Sequence, residues 1–336
     1  MKNNVLFVDE GHKGLGGEVW LDYRNRLSEE GFVFEYSATF KQALKGEKSK
    51  KDEESIIDIY GKSIIIDYSY KYFYNDMYGK EYRIYNLEED ENEKENILYL
   101  TGCLLTYYQQ LKLFNVYSKE YEPYNLEKPL LVCVGNSVNK RSNLTKEEKE
   151  VISDVQKILV FIDGFTSNYK KSIENIRLVL SGDTGLIQGN KDLFYNDFTF
   201  LQDLFEGDVD ALYRDVLNLI FNSNSSGRLY VEDLKQINGE IGLKIGDQNE
   251  YFGVINVGEN NQLIKNCESI GIVTSSNEFI TESLFRNINE KSSKINTLVG
   301  SRKFTEGWNS SVYRLWYFLI LLVKKVLWQY NFLVEE

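Results

Sequence analysis

Val5-Leu6-Phe7-Val8-Asp9-Glu10-Gly11-His12 is a four-residue apolar run that stops at an acidic pair. A short apolar run bounded by polar residues reads as a buried strand. Helical spacing follows over 18–27, with Trp20, Tyr23 and Leu27 on one side, and Phe32-Val33-Phe34 reads as a second strand. Strands separated by helices favour an α/β fold with a parallel sheet, whose functional loops lie at the C-terminal ends of the strands. Asp9-Glu10-Gly11-His12 and Ser37-Ala38-Thr39 both occupy such ends. There an aspartate can hold Mg²⁺, usually through water, and the adjoining glutamate can orient a nucleophilic water.

The chain has 336 residues, enough for two domains with substantial cores. Apolar residues make up 42% and aromatic residues 14%, which excludes a disordered chain. Cys103, Cys133 and Cys267 are far apart and form no CxxC pair, which fits a reducing cytoplasmic setting without disulfides or a zinc site. Only four apolar residues precede Asp9, too few for a signal peptide. The net charge of −12 opposes nucleic-acid binding overall, since phosphate neutralisation dominates that affinity, but basic groups can be concentrated in one channel. The acidic stretch 88–95 reads as a solvated loop or helix start.

Further along, Ile64-Ile65-Ile66-Asp67-Tyr68 reads as a strand and the tyrosine-rich 68–85 as an insertion packed on the first domain. The spacing predicts a helix over 96–114, then a buried strand, Pro129-Leu130-Leu131-Val132-Cys133-Val134-Gly135, which opens a second domain. Helices are expected over 145–161, begun by Asn143 or Thr145, and over 205–221. Strands are expected at 229–231, 251–257, 270–274 and 297–300. Residues 1–122 and 123–310 are the expected domains.

Beyond these elements, particular words of the sequence match. A strand-end DEGH is followed within about thirty residues by a strand-end Ser37-Ala38-Thr39, the motif II and motif III pairing of superfamily 2 DEAD/DEAH-box helicases. Downstream, Gly300-Ser301-Arg302-Lys303-Phe304-Thr305-Glu306-Gly307-Trp308-Asn309 resembles their motif V. With Tyr251-Phe252-Gly253-Val254-Ile255-Asn256-Val257-Gly258 and Leu131-Val132-Cys133-Val134-Gly135-Asn136-Ser137, the chain resembles the restriction (Res) subunit of type III restriction-modification enzymes over roughly residues 4 to 310. The resemblance implies two RecA-like parallel-sheet lobes, the first incomplete at its N-terminus, ATP and Mg²⁺ as cofactors, and translocation on double-stranded DNA. It also implies a methyltransferase/specificity subunit as partner, no membrane, and a cytoplasmic setting.

By that resemblance Asp9 binds Mg²⁺, Glu10 acts on the attacking water, and His12 links the nucleotide site to the other motifs. Ser37, Ala38 and Thr39 couple the ATP site to the DNA channel, although Ser37 and Thr39 could equally cap a helix. Gly300, Thr305, Glu306, Gly307 and Asn309 touch nucleotide and DNA backbone, the glycines permitting close approach. Gly135, Asn136 and Ser137 hold a motif IV-like position. Arg302 and Lys303 are either phosphate contacts or surface charge, and Trp20 and Trp308 are expected to pack rather than stack on bases.

Two parts of the family pattern are missing. No GxxxxGK[ST] occurs, and Gly14-Leu15-Gly16-Gly17 lacks the Lys-Ser/Thr pair of a phosphate loop. The family's arginine motif, QxxGRGxR, is absent, and motif V runs instead into residues 311–336, with nine apolar residues at 315–323 followed by Lys324-Lys325. That run is short for a bilayer span and could form an amphipathic partner or surface helix. We read it as out-of-frame translation: codons for 329–336, shifted by two bases, can give VQFFGRG, and those for 311–316 can give RVSTM, the family's continuation. The expected molecule is thus an ATP-dependent DNA helicase/translocase fragment, an endonuclease subunit by class, inactive alone. A non-catalytic DNA- or partner-binding remnant and a membrane-associated protein are the alternatives.

Overall fold

The computed structural model describes residues 3–9, 11, 18–37, 65–66, 68–77, 85, 93–124, 128–135, 154–256, 260–301 and 316–321. They form two compact units, the smaller holding the described residues up to Met77 and the larger those from Tyr85 onward.

In the smaller unit, β1 (Val5–Val8) and β2 (Phe32–Glu35) pair in parallel, Val5 opposite Phe32 and Val8 opposite Glu35. Helix α1 (Glu18–Ser28) makes the crossover between them. A parallel pair needs such a crossover, and here it is one helix of three turns. A further helix, α2, spans Tyr70–Asn75. Ile65, Ile66 and Tyr68 are exposed and lie in no strand, unlike the expected strand at 64–68, whose other members Ile64 and Asp67 lie outside the described residues.

The larger unit is a mixed α/β layer structure around a seven-stranded, mostly parallel sheet. Its strands are β3 (Leu130–Gly135), β6 (Leu229–Leu234), β7 (Glu240–Ile245), β8 (Gly253–Asn256), β9 (Val273–Asn277), β10 (Thr297–Ser301) and β11 (Trp316–Leu321), with β4 (Ile187–Gln188) and β5 (Lys191–Asp192) forming a separate small hairpin. The order across the sheet is β11-β3-β10-β8-β7-β6-β9, and β7 alone runs antiparallel to its neighbours. Strand β3 is apolar at every position from Leu130 to Val134 because the sheet is buried on both faces. Leu131 and Cys133 join Val231, Leu243, Ile255 and Val299 in the main core, whereas Leu130, Val132 and Val134 join Val254, Ile288, Ile295 and Leu298 on the opposite face.

Helices supply the main core's second layer: α3 (Glu93–Val116), α4 (Asp154–Ser167), α5 (Tyr169–Ser181), α6 (Thr199–Leu204), α7 (Val209–Phe221) and α8 (Asn260–Ser269). Helix α3 is buried on most of its circumference from Leu98 to Leu111, and a Cβ on Gly102 would fall 2.1 Å from Phe194 Cζ. Its Tyr107 hydroxyl donates to the Pro129 and Asn296 carbonyls at 3.2 and 2.9 Å, joining it to the starts of β3 and β10. This helix therefore packs with the larger unit, although the sequence assigns residues 85–122 to the first domain; its long apolar surface finds its cover on the sheet that begins with β3. Helix α5 starts at Asn168, whose side chain accepts from Lys171 N, and α7 starts at Asp208, which accepts from Ala211 N. Gly182 and Asn222 end these two helices in the left-handed conformation.

Candidate functional site

Asp9 follows the last residue of β1, and Ser37 lies two residues beyond the end of β2. The two strand exits are tied together: Tyr36 N donates to Val8 O at 2.9 Å, and Gly11 N donates to Tyr36 O at 3.1 Å. Gly11 is buried against Glu35, and a Cβ there would lie 2.8 Å from Glu35 Oε2. Glu35 itself is held by an ion pair with Arg24 of α1, so the glycine of Asp-Glu-Gly makes room for a fixed carboxylate. Parallel pairing thus brings Asp9 and Ser37 out at the same end of the sheet, the end where α/β proteins carry their chemistry. Glu10, His12, Ala38 and Thr39 lie outside the described residues.

Mg²⁺ favours one or two carboxylates completed by water and phosphate oxygens, and a single strand-end Asp9 is compatible with that mode. Among the described residues no group of three or more His, Cys, Asp or Glu side chains could hold a metal on its own.

In the larger unit Gly300 is buried on β10, opposite Val134 of β3 and Asn256 of β8. The parallel register sets the ends Gly135, Ser301 and Asn256 next to one another. Two of the segments singled out in the sequence, 131–137 and 300–309, therefore leave the sheet from adjacent strands. Asn136, Ser137, Arg302, Lys303, Thr305, Glu306, Gly307, Trp308 and Asn309 lie outside the described residues.

A buried charged cluster, missed in the sequence, lies between β6, β7 and β9. Glu232 accepts from the Tyr251 hydroxyl, from Ser275 Oγ at 2.9 Å and from Asn277 Nδ2 at 3.2 Å, and Lys244 Nζ lies 3.1 Å from it. Burial pushes the Glu232 carboxyl up, but hydrogen bonds from Tyr251, Lys244, Ser275 and Asn277 outweigh it and hold the group below the usual carboxylate value. Burial and then Glu232 push the Tyr251 hydroxyl up. The Tyr251 ring lies across Gly242, where a Cβ would come within 2.5 Å of it. The signal was available: Glu240, Gly242 and Lys244 alternate with Ile241, Leu243 and Ile245. These contacts tie β6, β7 and β9 together.

Burial pushes the thiols of Cys103, Cys133 and Cys267 up to about 12, which removes them as nucleophiles. None of the described helices is long and apolar enough to cross a membrane. No protein-family model, no curated protein and no solved structure matches this chain.

Proposed function

We propose that the chain is a part of an ATP-dependent DNA helicase/translocase of the type III restriction class, its two units corresponding to two RecA-like lobes. One observation carries the proposal: Asp9 and Ser37 leave adjacent parallel strands whose ends are joined through Gly11 and Tyr36. That is the arrangement needed for a metal-holding acidic motif to sense a hydroxyl motif beside it. The neighbouring exits of β3 and β10 give independent support.

In this mechanism Asp9 holds Mg²⁺, which when bound neutralises phosphate charge. Glu10 orients the attacking water, and His12 with Ser37 and Thr39 transmits the state of the site toward the DNA-binding segment. Gly300, Thr305, Glu306, Gly307 and Asn309 contribute contacts to nucleotide and duplex backbone. A phosphate loop and an arginine finger are each worth about 10³-fold or more in rate, and neither motif occurs in these 336 residues. The purified chain alone is therefore expected to turn over negligible ATP. Sequencing the genomic DNA on both sides tests the assignment. The expected result is a coded Gly-Lys-Ser/Thr loop upstream and Gly-Arg-Gly in the shifted frame downstream. Finding neither, or strong DNA-stimulated ATP turnover by the chain alone, overturns it.

A further inference from the structure

Strand β9 is the last strand of the large sheet and pairs only with β6 among the described residues. The register is unbroken, from Val273 opposite Tyr230 to Asn277 opposite Leu234. Lys235 N donates to Asn277 O at 3.0 Å, so the backbone of Asn277 faces β6. Successive residues of a strand turn their backbone groups to opposite sides, which sets the N–H and C=O of Thr274 and Ser276 outward. Nothing among the described residues pairs with these groups. Lysine, proline or a bulge normally blunts such an edge, and Val273-Thr274-Ser275-Ser276-Asn277 carries none of them.

The strand is also held in place from both faces. Ser275 and Asn277 donate to Glu232 on one, and Thr274 Oγ1 donates to Glu268 of α8 on the other. Just beyond it, Asn277 Oδ1 accepts from Phe279 N and Ile280 N at 2.9 and 3.3 Å, a turn that leaves Phe279 91% exposed. Glu268 and Glu278 are exposed beside the edge, in a chain of net charge −12.

We infer that the outer edge of β9 is a docking site for an extended basic segment of a partner protein, added to the sheet as a further strand. Main-chain hydrogen bonds to Thr274 and Ser276 supply the affinity, as in strand addition generally. The side chains along the edge are small, so a partner backbone can approach to the ~4.8 Å spacing of paired strands. Basic side chains on the segment meet Glu268 and Glu278, and an apolar one meets Phe279. A second copy of the chain is disfavoured, because it brings the same carboxylates and the same net charge of −12. The inference does not rest on the helicase proposal.

Titration of the full chain with a short end-capped peptide of alternating lysine and valine tests it, read by residue-resolved amide exchange. The expected result is a Kd on the order of 10 μM. Exchange at Thr274 and Ser276 should slow at least about 10-fold, while Asn277, whose backbone faces β6, is unchanged. The matching peptide of glutamate and valine should bind at least about 10-fold more weakly, the gap closing at high salt. Ser276→Pro removes an outward N–H and leaves the β6 ladder intact, so binding should weaken at least about 10-fold with the urea midpoint unchanged. Should that variant fail to fold, Glu278→Lys on the exposed surface decides: it should weaken the lysine peptide and strengthen the glutamate one. Absent binding, equal binding of the two peptides, or protection that spares Thr274 and Ser276 each overturns the inference. So does the same protection appearing with rising chain concentration alone, which would make the occupant a second copy.

Discussion

Replacing Lys244 by methionine should expose how the buried cluster is balanced. The substitution keeps most of the side chain's volume and removes a cation 3.1 Å from Glu232, in a pair whose side chains are only 11% and 7% exposed. Loss of a charge-assisted hydrogen bond costs about 1.5–3 kcal/mol, and breaking a buried pair from one side about 3–5 kcal/mol. Three neutral donors remain on Glu232, so about 3 kcal/mol is expected, which is roughly 6–12 °C in Tm for a unit of this size. The pH dependence carries the test. In the native chain Glu232 sits below its ordinary pKa, so its contribution is complete above that value and is lost as pH falls through the lower folded one. Without Lys244, burial meets less opposition and the carboxyl moves up. The deficit should therefore be largest near pH ~7 and shrink toward pH ~4, because the variant's raised carboxyl takes up its proton before the native one does. Urea unfolding of the native chain, Lys244→Met, Glu232→Gln and the double variant measures it. An unchanged deficit between the two pH values, or a double variant as costly as the two singles added, would refute the reasoning.

Asn296→Ala should cost about 2–3 kcal/mol by urea unfolding, because its amide satisfies the Leu219 and Ile220 carbonyls at the end of α7 at 3.0 and 2.8 Å. Gly11→Ala should displace Glu35 from Arg24 and destabilise the smaller unit by about 1–2 kcal/mol, seen as faster amide exchange in β1 and β2. Lys128 is pushed down to about 8, by burial first and then by Lys294, from an ordinary value of 10.5. Across that window the unfolded chain binds more protons than the folded one, so stability rises with pH, and Lys128→Met should flatten the rise. A native profile that is already flat would contradict this.

The parallel pair at 5–8 and 32–35 was legible because apolar runs end abruptly at acidic residues and the spacing between them suits one helix. Strand β3 and helix α3 were legible for the same reason, long apolar content with clear limits. Strand β6 runs three residues past the expected 229–231, since Glu232 and Asp233 read as a strand end although each is buried against donors. Strand β7 was passed over because Glu240 and Lys244 masked a regular alternation. Helix α4 was expected over 145–161 and is described over Asp154–Ser167, continuing through Gly164, where a Cβ would meet nothing. Asp9, Ser37 and Gly300, picked out by words and spacing, stand at or next to the ends of parallel strands. What no local pattern could reveal is that α3, so close in sequence to the first unit, is covered by the second.

Strand β10 sits between β3 and β8, yet it is made about 160 residues after the first of these neighbours. During synthesis β3 leaves the ribosome with no partner on that side, and β8 arrives with the same edge open. Both edges wait for residues 297–301 before the gap between them closes. The edge of β3 stays open for about 160 residues of synthesis and that of β8 for about 40, and the yield should follow the supply of chaperones that shield such edges.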